Sequence, residues 1–251
     1  MIPRKIHYCW FGQGEMPQEA KDCIASWHEY MPDWEYKLWN EKNFDIDAMP
    51  YTKEAYAARK MAFVSDVARL KALRDEGGVY LDTDVEVFRS LDPLLRNKAF
   101  AGFEGSKHNP VATCVMASES GGEWVTEMLD SYNGRHFLKS DGTMDMTTNV
   151  QYITALMANN GFLQDGTEQD YKDLHIFPVD YFSPRHTTGE YIRTDNTYCE
   201  HKALCSWSSK KKGWKGVILA LVGQKNMTRL IKLKRRLENL NQNRLKEKKH
   251  L

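Results

Sequence analysis

The sequence predicts an α/β fold, and the order of its first segments is the main reason. An apolar and aromatic segment, an amphipathic segment and an alternating segment follow one another within residues 5–39. The order strand, helix, strand is typical of the nucleotide-binding half of an α/β sheet. The chain has 251 residues, 41% hydrophobic and 27% charged, which suits one domain with a sizeable core.

The first three elements follow from composition and spacing. Residues 5–11 (KIHYCWF) end at Gly12 and predict a buried strand that opens into a loop. Residues 18–31 place apolar side chains at helical spacing after Pro17, a residue that suits the first turn of a helix. Residues 34–39 (WEYKLW) alternate apolar and polar positions, which predicts a second strand.

The next elements are a long helix and an interrupted strand. An apolar stripe at helical spacing predicts one helix over residues 53–76, which the pair Gly77–Gly78 ends. A strand then begins at Val79–Leu81 and is expected to continue through Val85–Phe88 after a polar interruption.

The remaining pattern is shorter and weaker. Strands are expected at residues 100–103, 112–117 and 176–182, and helices at residues 121–132 and 147–160. Thr147 or Thr148 is expected to cap the second of these helices.

Cysteine usage and the N-terminus bear on the compartment. The five cysteines are an odd number without a C-x-x-C pair, which predicts neither a disulfide framework nor a cysteine zinc site. The first residues do not read as a signal peptide, and no stretch of about 18 apolar residues predicts a transmembrane helix. A cytoplasmic location is therefore expected.

The charge is divided unevenly along the chain. Residues 210–251 carry fourteen basic and two acidic side chains, net +12, whereas residues 1–209 carry 21 basic and 32 acidic ones, net −11. Leucines in the basic part recur near helical spacing, which predicts a C-terminal basic amphipathic helix. Such a helix can dock peripherally on the anionic inner face of the cell membrane, or it can be solvated or pack on another subunit.

The strongest chemical signal is the segment Tyr80–Val85 (YLDTDV). In a straight strand, side chains two positions apart point to the same face, so Asp82 and Asp84 would converge. Converging carboxylates repel one another unless a proton or a cation lies between them. The segment therefore predicts a site for Mn²⁺ or Mg²⁺, which prefer oxygen ligands and leave positions open for phosphate oxygens.

Two interpretations of this segment are open from the residues alone. The acids can belong to a surface strand whose polar face meets water. The apolar flanks Val79–Leu81 and Val85 instead favour an interior strand. There a bound cation would act as a Lewis acid on the departing diphosphate of a nucleotide sugar.

Three separated segments resemble one family. The segments IPRKIHYCWFG, SDVARLKALRDEGGVYLDTDV and HKALCSW resemble sugar transferases with a DXD signature. That family, glycosyltransferase family 32, includes bacterial capsular polysaccharide glycosyltransferases and fungal initiating α-mannosyltransferases, and it is distantly similar to the glucosylating domains of large clostridial toxins. The resemblance covers most of residues 1–207 but little of 105–200.

The resemblance implies a fold and a division of the chain. The fold would be a GT-A type, Rossmann-like single domain over residues 1–209, with a mixed central sheet flanked by helices. Residues 210–251 would form the separate tail. Ligands would lie at the carboxyl ends of the parallel strands.

The resemblance also implies which residues hold the nucleoside. Trp10, beside Cys9, would stack on the base of the donor, because an indole face is a good platform for a base. Ser65 would lie nearer the nucleoside and Tyr80 near the ribose. The alternative for Trp10 is a place in the core.

Four residues are implied as the catalytic set. Asp66 and Arg69, three positions apart on one helical face, would hold hydroxyls of the transferred sugar. Asp82 would bind ribose, sugar or a metal-bound water, and Asp84 would bind the metal directly. The alternative for Asp66 and Arg69 is an internal ion pair.

The last segment is implied to close over the diphosphate. His201 would ligate the metal or contact a phosphate, and Ser206 and Trp207 would donate hydrogen bonds to the β-phosphate. The alternative for His201 is a structural role.

The function implied is a metal-dependent glycosyltransferase. It would move a hexose or N-acetylhexosamine from a nucleotide diphosphate sugar to a saccharide or lipid-linked oligosaccharide acceptor in surface polysaccharide synthesis, with retention of configuration. Trp10 favours UDP over GDP as the nucleotide by analogy. Nucleic acid is not an expected partner, because the acidic body repels phosphate backbones.

Two other functions compete with this one. Phosphatases of the haloacid dehalogenase class also use D-x-D after a strand, but Glu86 occupies the position where that class has Thr or Val. A non-catalytic, membrane-associated scaffold that binds sugar nucleotides is the other alternative.

Overall fold

The structure, a computed structural model, describes residues 1–105, 108–185 and 190–203. Its helices are α1 Gln18–Tyr30, α2 Pro50–Ala57, α3 Met61–Glu76, α4 Glu123–Asp130 and α5 Asn149–Asn159. Its strands are β1 Lys5–Cys9, β2 Glu35–Trp39, β3 Gly78–Leu81, β4 Val85–Val87, β5 Ala99–Phe103, β6 Val111–Ser118, β7 Gln169–Tyr171, β8 Leu174–Phe177 and β9 Cys199–His201. The basic tail, Ser206 and Trp207 lie outside the described residues.

Seven of these strands form one mixed sheet in the order β2-β1-β3-β6-β5-β8-β7. β1 is parallel to both β2 and β3, whereas β6 is antiparallel to both β3 and β5. Apolar side chains of α2, α3, α4 and α5 pack in a core that includes one face of the sheet. Those of α1 and the β4–β9 pair pack in a second core. This arrangement confirms the predicted α/β class, with a mixed central sheet flanked by helices.

The single helix predicted over residues 53–76 is wrong, because the chain forms two helices there. Arg59 has φ +56°, a left-handed conformation that a continuous helix cannot contain. α2 starts earlier than predicted, at Pro50, because proline needs no hydrogen-bond acceptor for the first helical position. α3 ends as predicted at Gly77, whose φ of +65° favours glycine.

The predicted continuation of β3 into Val85–Phe88 is also wrong. The chain leaves the sheet after Leu81, and β4 pairs instead with β9 in a separate antiparallel ribbon. Helix α1 supports this ribbon, because Trp27 Nε1 donates to Val85 O over 2.7 Å. The ribbon thereby carries His201 to the edge of the sheet where β3 ends.

The other differences concern short elements. β1 ends at Cys9, two residues before the predicted end, and the segment predicted at 176–182 is a strand over Leu174–Phe177. β7 and β9 escaped prediction because three residues are too few to show alternation. The cap of α5 is confirmed at Thr148, which forms a capping box with Gln151.

Two further features of the described chain concern its helices and thiols. No helix in that part is long and apolar enough to cross a membrane. The four cysteines within it, Cys9, Cys23, Cys114 and Cys199, are buried free thiols.

Candidate active site

The two acids of the YLDTDV segment lie in a turn at the carboxyl end of β3. The backbone N–H of Asp82 still donates to Cys114 O on β6 over 2.9 Å, but Val85 N then donates back to Asp82 O over 3.0 Å. The backbone next to β9 also stabilises the turn, because Lys202 N–H donates to Asp84 O over 2.8 Å. The carboxylates thus converge through a turn, and the predicted alternation along a straight strand is wrong.

His201 joins these acids from the β4–β9 ribbon. One ligand atom each from Asp82, Asp84 and His201 lie within 4.8 Å of one another. His201 Nε2 is 3.2 Å from Asp84 Oδ1. Carboxylate oxygens suit Mg²⁺ and Mn²⁺, while imidazole suits transition metals, so this donor set fits a divalent cation such as Mn²⁺.

The charge state of His201 follows from its surroundings. Burial lowers the pKa of the imidazole, but the neighbouring Cys114 and Asp84 together raise that pKa well above its ordinary value. In the metal-free protein, this shift favours a proton on His201, whose Nε2 contacts Asp84 Oδ1. A cation at this site has to displace that proton.

Arg69 connects the acidic turn to α3. Its guanidinium lies 3.0 Å from Asp66 Oδ1 and 3.3 Å from Asp82 Oδ1. It also donates to Thr113 O on β6 over 2.7 Å and lies 4.6 Å from the centre of the Tyr80 ring. Because the side chain of Arg69 is only 6% exposed, these contacts fix it in one position.

Asp66 lies deeper than the acids of the turn. Burial raises the pKa of its carboxyl to about 7, although Arg69 opposes that shift. Asp66 therefore changes charge near neutral pH, where a carboxylic acid and a carboxylate present different hydrogen-bonding atoms to a ligand.

The residues implied for the nucleoside are only partly brought together. Tyr80 donates from its hydroxyl to Asp82 Oδ1 over 2.8 Å. Cys9 is in hydrogen-bonding contact with Tyr80 and Ser65, and burial raises the pKa of its thiol to about 12. Trp10 lies beyond the end of β1, half-buried, with Nε1 donating to Gly14 O over 2.6 Å. The roles of these four residues stay predictions.

A cavity of about 660 Å³ opens beside the acidic turn. Asp66, Arg69, Asp82, Asp84 and His201 all line it. The structure thus brings together, around one cavity, every predicted catalytic residue and every predicted metal ligand.

Other residues that line the cavity were not predicted as site residues, and these include Glu104, Thr113 and Asn149. The sequence could not identify Thr113 as a site residue, because it contacts Arg69 through its backbone O, which every residue type has. Asn149 follows the cap of α5 and hydrogen-bonds through Oδ1 to the Tyr132 hydroxyl at 3.1 Å, whereas its Nδ2 is buried without a partner. The cap motif around Thr148 was the one available clue to its position.

Comparison with known proteins shows what this region is similar to. Residues 17–101 match the family described as the glycosyltransferase sugar-binding region containing the DXD motif. The segment that contains Asp66, Arg69, Asp82 and Asp84 is therefore similar to DXD-type sugar-binding regions of glycosyltransferases, and the predicted resemblance is confirmed there.

Two curated fungal proteins are similar to part of the chain. Inositol phosphoceramide mannosyltransferase 3 of Schizosaccharomyces pombe is 32% identical over 112 residues, which cover 39% of this chain and 29% of that protein. Mannosyl phosphorylinositol ceramide synthase SUR1 of Saccharomyces cerevisiae is 30% identical over 104 residues, which cover 40% of this chain and 27% of that protein. The chain thus spans less than a third of the length of these relatives.

A solved structure named PaToxG glycosyltransferase is a more distant likeness. It has a TM-score of 0.42 and 17% identity, over 51% of this chain and 59% of that one.

Proposed function

We propose that this protein is a metal-dependent glycosyltransferase that uses a nucleotide diphosphate sugar as donor. The convergence of Asp82, Asp84 and His201 at one cavity carries this proposal. The match of residues 17–101 to a DXD-containing sugar-binding region supports it independently.

The side chains that line the cavity would bind different parts of the donor. Asp82, Asp84 and His201 would hold a divalent cation, preferably Mn²⁺, which neutralises the diphosphate of the donor as it leaves. Arg69 and Asp66 would bind hydroxyls of the transferred sugar, because the guanidinium offers only donors and the carboxyl offers acceptors. Tyr80 would orient Asp82 through the hydrogen bond from its hydroxyl.

The donor and acceptor are finer proposals. A UDP-sugar carrying a hexose or N-acetylhexosamine is favoured by analogy through Trp10. The names of the two fungal relatives both refer to a mannosyl group and an inositol-containing ceramide, so mannose belongs among the sugars to be tested. Transfer to a saccharide or lipid-linked oligosaccharide in surface polysaccharide synthesis, with retention, is proposed from the resemblance.

The location is a separate proposal from the sequence. A cytoplasmic protein that docks peripherally on the membrane through residues 210–251 would meet a lipid-linked acceptor there. Truncation after residue 209 should then abolish binding to liposomes that contain anionic lipid. Unchanged binding of the truncated protein would contradict membrane docking by the tail.

Hydrolysis of nucleotide sugars tests the proposed activity without knowledge of the acceptor. Purified protein is incubated with UDP-glucose, UDP-N-acetylglucosamine or GDP-mannose, with Mn²⁺ or with EDTA, and the release of nucleoside diphosphate is measured. Release that requires Mn²⁺ supports the transferase. Release of phosphate from p-nitrophenyl phosphate instead would support a phosphatase, and neither activity would favour a non-catalytic scaffold.

A further inference from the structure

Four carboxyl groups line the cavity, and three of them have assigned contacts. Asp66 pairs with Arg69, Asp82 accepts from Tyr80 and Arg69, and Asp84 faces His201. Glu104, the fourth, has a half-buried side chain for which no hydrogen bond or ion pair is found within residues 1–105, 108–185 and 190–203. A carboxylate in this position keeps all of its acceptor capacity for a ligand.

The sheet places Glu104 at the same edge as the acidic turn. β3 and β5 both pair antiparallel with β6, which lies between them, so their carboxyl ends meet at one edge. Asp82 N donates to Cys114 O on β6, and Glu104 N donates to Pro110 O at the start of β6, over 2.9 and 2.8 Å. Glu104 is thus two strands away from Asp82.

Glu104 also lies on the face of the sheet from which His201 approaches the cavity. Side chains alternate along a strand, so positions 110, 112 and 114 share one face. Glu104 lies opposite position 110, and Cys114 on that face contacts His201. Glu104 therefore approaches the cavity from the His201 side, whereas Asp66 and Arg69 approach it from α3.

The environment of the Glu104 carboxyl suits a hydrogen bond from an uncharged ligand group. Burial raises the pKa of this carboxyl, opposed by the charge of His201. A ligand hydroxyl that donates a hydrogen bond to Glu104 would stabilise the charged carboxylate. This hydrogen bond would offset part of the free-energy cost of burying the charge.

We propose that Glu104 binds the attacking hydroxyl of the acceptor and orients it toward the anomeric carbon of the donor sugar. The inference rests on the proposed transferase function and deepens it. The donor sugar already has Asp66 and Arg69 on the other side of the cavity, which leaves Glu104 for the second substrate. In the absence of a saccharide acceptor, water occupies the same place.

The test compares wild-type protein with Glu104→Gln in Mn²⁺-dependent hydrolysis of whichever nucleotide sugar the wild type hydrolyses. Gln keeps the shape of the side chain and removes the charged acceptor. The kcat of hydrolysis should fall about tenfold or more, while the KM for the donor stays unchanged, because a hydrogen bond to a charged group orients only the attacking water. Binding of Mn²⁺ and UDP, measured by calorimetry, should also stay unchanged.

Two controls separate this role from general damage. Glu123→Gln, which changes an exposed carboxylate outside the cavity, should keep wild-type kcat. Glu104→Ala should lose activity that sodium formate partly restores, because formate supplies the missing carboxylate.

The outcomes distinguish the two proposals. An unchanged kcat for Glu104→Gln would overturn the inference, as would a raised donor KM at constant kcat, which would place Glu104 on the donor. If the wild-type protein hydrolyses no nucleotide sugar, the proposed function itself fails and the inference falls with it.

Discussion

His201 Nε2 lies 3.2 Å from Asp84 Oδ1, although the two residues are far apart in the sequence. The contact depends on the ribbon in which Val85 pairs with His201. That ribbon is held by α1 through Trp27. The ligand set of the candidate metal site is therefore assembled by tertiary structure rather than by one local motif.

Replacement of Asp84 tests the metal site most directly. Asp84→Asn should fold normally and lose Mn²⁺-dependent hydrolysis of nucleotide sugars by about 100-fold or more, because an amide neutralises none of the charge that the cation brings. Hydrolysis rates and thermal unfolding would be measured together. Asp47→Asn, which changes an exposed acid paired with Lys53, is the matched control. Wild-type rates from Asp84→Asn would refute the metal assignment.

Metal binding should depend on pH through His201. The pKa of His201 is raised in the metal-free protein, so a proton competes with the cation more strongly as the pH falls. The affinity for Mn²⁺ measured by calorimetry should decrease from pH 8 to pH 6. His201→Gln should bind Mn²⁺ more weakly at pH 8 and with a smaller dependence on pH. An equal pH dependence in both proteins would argue against His201 as a ligand.

Loss of Arg69 should destabilise the fold. Arg69→Met removes the guanidinium. Asp82 and the backbone O of Thr113 then lose a buried partner. The free energy of unfolding should fall by about 3 kcal/mol or more, as measured with urea. Arg74→Met, whose guanidinium pairs with Asp75 near the surface, should change it by less than about 1 kcal/mol. If the free energy of unfolding fell by similar amounts in the two variants, the buried contacts of Arg69 would not contribute more to stability than a surface ion pair.

His7 should make the fold sensitive to acid. It is fully buried, with Nε2 bonded to Gly77 O at 2.8 Å and Nδ1 accepting from Trp39 at 3.0 Å, so it is neutral in the folded protein. Burial lowers its pKa below the ordinary value of 6.5. The unfolded chain therefore binds the proton first, and stability is lost as the pH falls below about 6.5, by at most about 1.4 kcal/mol per pH unit.

The variant His7→Gln isolates this contribution. Glutamine can donate to Gly77 and accept from Trp39 without titrating. Its free energy of unfolding should fall less between pH 7.5 and pH 5.5 than that of the wild type. His28→Gln, at an exposed position, should keep the wild-type dependence. Parallel pH profiles for His7→Gln and the wild type would contradict this account.

Periodicity predicted the longer elements because each has several residues that repeat one pattern. α1, α5 and β6 are examples. It failed at Arg59, since one left-handed residue divides a helix without disturbing the apolar stripe on either side. It also failed at β9, which has only three residues and owes its existence to pairing with β4.

The sequence by itself determined the polar groups of the candidate site: two acids two residues apart and a helical Asp66–Arg69 pair, with apolar segments beside them. Only the tertiary structure decided which other groups share their cavity. Asp82 and Asp84 converge because the backbone turns after β3, and Glu104 reaches the same edge because β6 runs antiparallel to two neighbours. The physical reason is that contacts between strands distant in sequence leave no periodic trace in either segment.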